Sequence, residues 1–284
     1  MLDGGLIRLK EVLTELKPSE RRVADYILAR PEQVVQLSVH KLAELSGVSE
    51  ATVIIRLTRS LSMSGYQELK LRIAGDLPKK TVSDGYQEIR LGGTVESIIT
   101  AVSNNNQQSI HDTVSLLSVE EVTRAAEVMS TARKIDVYGV GASAVIAYDL
   151  KQKLSRINWW CEAHSDFHAQ LTSAVTLTEG DVAFGISYSG QTEDIIQSLT
   201  EAKRQGATLI SLTKFGKSPV SDAADIRLFT SYVEQNIRSG AMASRIAQLN
   251  VIDVLFVTIV SQLHEEIIPR LEKTRLAVSR TKRI

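Results

Sequence analysis

The 284-residue sequence has little cysteine and no long apolar run, and each shortage excludes a class of protein. The single cysteine, Cys161, excludes an internal disulfide and a cluster of metal-bound thiolates, which fits a reducing cytoplasm. The longest apolar run lies near VIDVLFVTIV and is about half as long as a membrane span requires. The amino terminus lacks the uninterrupted apolar core of a signal peptide. We therefore expect a cytoplasmic protein with no membrane partner.

The sequence also lacks a net charge, because 33 lysines and arginines balance 33 aspartates and glutamates. Residues 1–80 hold 13 basic and 10 acidic residues, a net charge of +3, and the remainder carries −3. This asymmetry is compatible with a nucleic-acid partner at the amino-terminal end but does not demonstrate one. The hydrophobic fraction of 43% is typical of a globular protein with a substantial core.

The periodicity of the chain predicts two domains. Residues 1–77 read as helices only, residues 78–93 as a linker without a clear period, and residues 94–126 as connecting helices. Residues 127–267 contain five short β-rich runs, separated at least among the first four by amphipathic helical stretches. This alternation predicts a three-layer α/β domain with a five-stranded parallel sheet and helices on both faces. Residues 268–284 are predicted to form a terminal helix.

One predicted strand, in FGISYSGQTEDIIQS, runs into a turn rich in hydroxyl groups before a helix begins. At the carboxyl end of a parallel strand, Ser187, Ser189 and Thr192 offer donors to an anion, typically a phosphate, beside the free N–H groups of the next helix. Gly190 lets the backbone approach such a ligand closely. The alternative is that the hydroxyls only cap the helix.

A second turn of the same kind favours the phosphate site over two caps. YGVGASAV also reads as a strand, a glycine turn, a serine and a helix, and it adds Gly141 and Ser143. A dinucleotide fingerprint is disfavoured, because Ala144 follows where a third glycine is needed.

Polar residues in HSDFHAQL follow another predicted strand. His164, Asp166, His168 and Gln170 alternate there and are candidates for binding sugar hydroxyls. Capping by Asp166 is the alternative. A metal site is disfavoured, because no third strong ligand joins the two histidines.

Glu234 follows the last predicted strand. It either meets sugar hydroxyls from the far side of the pocket or pairs with Arg238 four residues later.

The segment SVHKLAELSGVSEATV has the pattern of a helix-turn-helix. Ala43 is small where two helices would cross, Gly47 takes the turn, and Ser49 caps the second helix. That helix is predicted to enter the major groove of DNA and to present its outer face to bases and phosphates. The predicted DNA-binding residues are Ser49, Glu50, Thr52, Arg56 and Arg59. An ordinary helical hairpin is the alternative.

Together the two halves resemble the RpiR-type transcriptional regulators, which join a helix-turn-helix domain to a sugar isomerase (SIS) domain that senses phosphosugars. The resemblance covers nearly the whole chain and is carried by PSERRVADYIL, LAELSGVSEATV, GYQELK, GVGAS, DFHAQ, SYSGQTEDI, KFGKSPVSDAAD and RSGAMASRIAQLNVIDVLF. It implies a regulator of sugar-phosphate metabolism that binds double-stranded operator DNA and a phosphosugar effector as a homodimer or homotetramer. It implies no catalytic residue, no metal and no cofactor.

The resemblance also implies roles for individual residues, and suggests the branch that controls amino-sugar or muramic acid catabolism. It assigns phosphate binding to Ser143, Ser187, Ser189 and Thr192, close backbone approach to Gly141 and Gly190, and sugar contacts to His168, Gln170 and Glu234. A sugar-phosphate isomerase is the alternative, because His168 and Glu234 are possible general bases. An isomerase has no use for the amino-terminal module.

The sequence departs from the family pattern in the second helix of the helix-turn-helix. VIIRL holds one residue more than expected, either Ile54 or Ile55, so Leu57 comes one place late. One residue turns a helix by about 100°. The insertion therefore predicts either a bulge in this helix or a rotated outer face.

Overall fold

The computed structural model describes residues 4–77, 86, 87, 89, 92–231 and 242–280. These residues divide into two compact units. The first contains the described residues up to Leu116 together with Phe215–Lys217 and Ser231, and the second contains the remainder. This division reflects packing and does not test independent folding, so the domain boundaries drawn from the sequence stay a prediction.

The described part of the first unit is helical, as its periodicity predicts. Its elements are α1 (Gly5–Val12), α2 (Pro18–Ala29), α3 (Pro31–Val34), α4 (Val39–Ser46), a π-helical stretch (Thr52–Leu57), α5 (Thr58–Ser60), α6 (Tyr66–Asp76) and α7 (Val95–Leu116). Apolar side chains at helical spacing form its core, among them Leu9, Val23, Ile27, Leu42, Val53, Leu57, Leu69 and Ile73. The first of the predicted connecting helices is α7.

The second unit alternates helices with strands. Its elements are α8 (Val119–Thr131), β1 (Ile135–Gly139), α9 (Ala142–Ser155), β2 (Cys161–His164), α10 (Phe167–Ala174), β3 (Val182–Ile186), α11 (Glu193–Arg204), β4 (Thr208–Lys214), α12 (Pro219–Ala223), β5 (Ile226–Thr230), α13 (Met242–Gln262) and α14 (His264–Arg280). The strands pair in the order β2-β1-β3-β4-β5, and every pair is parallel. The predicted five-stranded parallel sheet is confirmed.

Helices cover both faces of this sheet, because alternate residues of each strand point to opposite sides. On one face, Val137 and Phe184 pack against side chains of α8, α9 and α13. On the other face, Tyr138, Ala183 and Leu209 pack against α10, α11 and α12. The unit therefore has the three layers that the sequence predicts.

The strand order brings two turns together. β1 and β3 are neighbours, and Gly139 pairs with Ile186 at their carboxyl ends. The helix after β1 packs on one face of the sheet and the helix after β3 on the other. The connections therefore diverge here and open a crevice, which is where open α/β sheets bind their ligands.

One described helix, α13, is long and apolar enough to cross a membrane by length and composition. The core helix of a soluble protein passes the same test. Val251, Ile252, Leu255 and Ile259 of α13 are buried in the core beside the sheet. Packing in the second unit accounts for the apolar inner face of this helix.

Candidate functional site

The turn between β3 and α11 holds its hydroxyl groups in a hydrogen-bonded loop. The hydroxyl oxygens of Ser187 and Thr192 lie 2.8 Å apart, and the Ser187 carbonyl accepts the Gly190 N–H at 3.0 Å. The Ser189 hydroxyl oxygen accepts the Gln191 N–H at 3.2 Å. Within the described residues the Ser189 hydroxyl donates no hydrogen bond, so its O–H is available to donate to an anion.

Gly190 is required at the centre of this turn. Its φ of +67° lies in the left-handed region, and a Cβ on it would lie 2.1 Å from the Ser218 hydroxyl oxygen. The Gly190 carbonyl accepts the Val220 N–H at 3.2 Å, and the Tyr188 carbonyl accepts the Lys214 N–H at 2.9 Å. The turn is thereby bound to the end of β4 and to the start of α12, the two residues that flank the intervening loop being Lys214 and Pro219.

The turn between β1 and α9 lies beside it at the end of the neighbouring strand. Gly141 has a φ of +57°, and Ser143 is buried in the first turn of α9. The Ser143 N–H donates to the Val140 carbonyl at 3.1 Å. A Cβ on Gly139 would lie 2.7 Å from the Ser143 carbonyl oxygen, so a glycine is needed where α9 starts.

The two helices that begin at this crevice have no side-chain cap. No side chain accepts a cap hydrogen bond at the start of α9 or α11. Among the described helices, side chains cap α4 by Ser38, α8 by Ser118, α10 by Asp166 and α12 by Ser218, whereas α1, α2, α3, α5 and α6 also lack such a cap. Thr192 occupies the capping position of α11, but its hydroxyl contacts Ser187 instead. Uncapped N–H groups and the positive helix ends suit an anion in the crevice.

The polar residues after β2, which the sequence analysis grouped as candidates for sugar contacts, lie in different environments. Asp166 caps α10 by accepting the Ala169 N–H at 3.0 Å, which confirms the capping alternative. His168 is exposed on α10. Gln170 is fully buried, where its amide nitrogen donates to the His164 carbonyl at 3.0 Å. A sugar contact stays a prediction for His168 and Gln170, and the buried amide of Gln170 also holds α10 to the end of β2.

A buried polar cluster beneath α10 was missed from the sequence. Asp136 is fully buried, and one oxygen of its carboxylate accepts hydrogen bonds from Lys134 Nζ, at 3.0 Å, and from the Ser173 hydroxyl. The second carboxylate oxygen lies 3.8 Å from His164 Nε2. Burial alone would raise the pKa of Asp136, but the contacts with His164, Ser173 and Lys134 outweigh burial and lower the pKa below its ordinary value. The sequence feature that could have revealed this cluster is an aspartate, Asp136, inside the otherwise apolar strand KIDVYGV.

Three further candidate groups add little to this site. Glu234 and its predicted partner Arg238 lie outside the described residues. No three histidine, cysteine, aspartate or glutamate side chains group as metal ligands within the described ranges. Burial raises the pKa of the Cys161 thiol to about 12, so this thiol is not a reactive nucleophile.

The predicted helix-turn-helix is present in the first unit. Ser38 caps α4 by accepting the Lys41 N–H at 3.2 Å, and Gly47 ends the helix with a φ of +63°. The Val48 N–H returns to the Ala43 carbonyl at 3.0 Å, and Ala43 is buried as predicted. The second helix begins three residues after Gly47.

Four of the five predicted DNA-binding residues are exposed: Ser49, Glu50, Arg56 and Arg59. The prediction that Thr52 shares their outer face is wrong. Thr52 is only 3% exposed, and its hydroxyl lies 3.1 Å from that of Ser49. It lies beside the buried Val53 at the start of the π-helical stretch, so its side chain turns inward. Glu50 is exposed but contacts His40, whose Nδ1 lies 2.9 Å from the carboxylate.

The π-helical stretch confirms the bulge that the extra residue predicts. A π-turn accommodates one residue more than an α-turn. Val53 and Leu57 are both fully buried, whereas Ile55 is 53% exposed and Arg56 is exposed. The inserted residue is thus absorbed, and Leu57 still reaches the core.

Deleting Ile55 is expected to convert this stretch into a regular α-helix and to change the thermal midpoint of unfolding little, because an exposed side chain is lost and Leu57 stays buried. Deletion of the exposed Arg22 in the regular helix α2 is the control. It turns Val23 and Ile27 out of the core, at a cost of about 2–5 kcal/mol for each lost side chain. Circular dichroism melts compare the two, and equal losses would contradict the bulge.

Two family models match the chain. The model described as a helix-turn-helix domain of the rpiR family matches residues 3–80, and the SIS domain model matches residues 128–258. An HTH-type transcriptional regulator of Caldanaerobacter subterraneus subsp. tengcongensis is 48% identical over 275 residues, which are 96% of each chain. The HTH-type transcriptional regulator YbbH of Bacillus subtilis is 39% identical over 279 residues, 98% of each chain.

Solved structures agree with these matches. The chain is similar to the Vibrio vulnificus NanR protein complexed with ManNAc-6P, with 28% identity, a TM-score of 0.62 and coverage of 98% of each chain. The sugar isomerase domain of an RpiR transcription factor from Sphaerobacter thermophilus has 20% identity and a TM-score of 0.57, over 63% of this chain and 98% of that one. This second likeness concerns the fold alone.

Proposed function

Because the chain belongs to the RpiR family of helix-turn-helix transcriptional regulators, we propose that a phosphosugar bound in its SIS domain sets its affinity for operator DNA. The observation that carries this proposal is the pair of uncapped glycine turns at the ends of β1 and β3. They gather the residues predicted to bind the phosphate, namely Gly141, Ser143, Ser187, Ser189, Gly190 and Thr192.

We infer that the effector is an amino-sugar phosphate. NanR, which the chain resembles over 98% of its length, is complexed with ManNAc-6P. A phosphate group accepts hydrogen bonds from hydroxyl and N–H donors together, which is the donor set of the two turns. His168, Gln170 and Glu234 remain the candidates for contacts to the sugar.

The chain is a regulator rather than an enzyme, as its family and its relatives are. The alternative of an isomerase rests on two possible general bases, namely His168, which is exposed on α10, and Glu234, which lies outside the described residues. The cytoplasm is the proposed location of a protein that acts on DNA.

The proposed mechanism is a linkage between two binding sites. A phosphosugar changes DNA affinity only if it binds the DNA-competent and the incompetent arrangements differently. Symmetric half-sites in double-stranded DNA require a dimer. Exposed apolar side chains on α7 and α13 support homodimer or homotetramer formation, among them Val95, Ile99, Val114 and Val257.

A thermal-shift assay with sugar phosphates and their unphosphorylated parents tests the effector site. A ligand at about a hundred times its Kd stabilises the fold by about 2.7 kcal/mol. Ser189→Ala removes a hydrogen bond to a charged group, and we expect it to raise Kd about 10- to 100-fold while DNA binding persists.

Ser155→Ala is the matched control, because it removes the same atom from an exposed serine whose hydroxyl donates to the Lys151 carbonyl. No shift with any phosphosugar would remove the support for the effector site. Loss of folding in Ser189→Ala would show that its hydroxyl serves structure.

A further inference from the structure

The first unit contains a polar cleft of about 490 Å³, and only Arg56 and Arg59 among its lining residues belong to a predicted site. Its lining residues come from the start of α2, the helix-turn-helix and the loop after β4. The charged ones are Glu15, Lys17, Glu20, Arg56, Arg59 and Lys217. Four cations therefore surround two carboxylates, which leaves an excess of positive charge in the cleft.

The cationic groups of this cleft are not neutralised by carboxylates. Lys17, Arg56, Arg59 and Lys217 form no ion pair with any residue that the structure describes. Glu20 is buried, and its carboxylate accepts a hydrogen bond from the Ser60 hydroxyl at 3.4 Å. The exposed ammonium and guanidinium groups remain available to an anion.

The helix-turn-helix supplies two of the cations. Arg56 is exposed although it lies between buried positions of the π-helical stretch, and Arg59 follows three residues later. Residues three apart are neighbours on a helix surface. The π-helical stretch and α5 thus place two guanidinium groups in the lining of the cleft, and a guanidinium group can bind two phosphate oxygens at once.

The loop after β4 supplies Lys217 from a firmly held position. The neighbouring Phe215 is 1% exposed, and the Arg8 guanidinium lies 4.9 Å from its ring centre. Arg8 is itself buried and donates to the carbonyl of Leu61 at 3.3 Å, just beyond the end of α5. Gly216 follows with a φ of +126°, a conformation that favours glycine.

The same loop is bound to the turn proposed to hold the effector. Lys214 donates its N–H to the Tyr188 carbonyl at 2.9 Å, and Ser218 is packed against Gly190. Lys217 thus lies three residues after one contact with that turn and one residue before the other.

We propose that the cleft binds a phosphate group of the DNA backbone. Its cationic contacts are Arg56 and Arg59 together with Lys17 and Lys217. Arg56 and Arg59 are already predicted DNA contacts, which favours DNA over a free phosphate ester as the source. This inference rests on the proposed function. It adds Lys217, from the loop beside the effector turn, to the DNA-binding residues.

The salt dependence of DNA binding tests the proposal, because each phosphate contact contributes about 0.9 to the slope of log K against log salt concentration. The probe is a duplex selected by the full-length protein from a random-sequence library. We expect Lys217→Ala and Lys17→Ala each to reduce the slope by about 0.9 and Lys217→Arg to restore it. Lys273→Ala is the control, because it removes the same charge from an exposed residue of α14.

A slope in Lys217→Ala equal to that of the wild type overturns the DNA-backbone contact. An unchanged slope with a lost thermal shift in inorganic phosphate would assign the cleft to a free phosphate instead. Equal circular dichroism spectra of Lys217→Ala and Lys273→Ala establish that folding is preserved. Failure of the wild type to select any duplex would refute the proposed function, whereas equal slopes refute this inference alone.

Discussion

Replacing Asp136 by asparagine is expected to lower the free energy of unfolding of the second unit by about 3–5 kcal/mol, since removing one partner of a buried ion pair leaves the other charge uncompensated. Lys134 is only 9% exposed, and its ammonium contacts Asp136 and Ser173 at 3.0 and 3.2 Å. Urea unfolding followed by tryptophan fluorescence measures the loss, because Trp159 and Trp160 both lie in this unit.

Asp166→Asn is the matched control. It makes the same chemical change in an exposed carboxylate that caps α10, and asparagine caps a helix about as well as aspartate. We expect little change there. Adding Lys134→Met to Asp136→Asn is expected to recover part of the loss, because it removes the unpaired charge. A loss within about 1 kcal/mol of the control would contradict the importance of this pair.

The pH dependence of the Asp136→Asn loss provides a second readout. The pKa of Asp136 is lowered from 3.8 in the folded protein, so its stabilisation is present above that pH and is lost as the pH falls through the folded pKa. The difference between wild type and variant is therefore expected to narrow as the pH is lowered from about 5 to about 2. A difference that stays constant over this range would assign the effect to shape rather than charge.

Replacing Gly190 by alanine is expected to lower the free energy of unfolding by about 2–4 kcal/mol and to abolish the phosphosugar response. A left-handed conformation costs a non-glycine residue about 1–2 kcal/mol, and overpacking adds about 1–3 kcal/mol. The new Cβ would lie 2.1 Å from the Ser218 hydroxyl oxygen and 2.4 Å from its Cβ. The turn must therefore move away from the loop that anchors it.

Gly180→Ala separates the clash from the backbone strain. Gly180 has a φ of +87°, and nothing lies within 4 Å of the position of a Cβ. Its replacement carries the cost of the conformation alone, and it leaves the crevice untouched. Urea unfolding and thermal shifts with the effector compare the two variants. Equal losses of stability together with equal ligand responses would contradict the close approach at Gly190.

The local features of this protein could be read from the sequence because they depend on neighbours in the chain. Strand and helix periods predict the sheet and its covering helices, and the turn at Ser187–Thr192 is specified by hydroxyl and glycine residues within six positions. The extra residue near Ile55 predicted a bulge because core spacing in one helix is itself a local count. Recognition of the family rested on the same short segments.

The tertiary structure alone decided which of these features meet and which side chains are buried. The order β2-β1-β3-β4-β5 places the two glycine turns side by side, although about 45 residues separate them in the chain. Thr52 and Gln170 turn inward, and Asp136 gains its partners from β2 and α10. Lys217 joins Arg56 across more than 150 residues. Burial and charge pairing are set by contacts between distant segments, which no local pattern encodes.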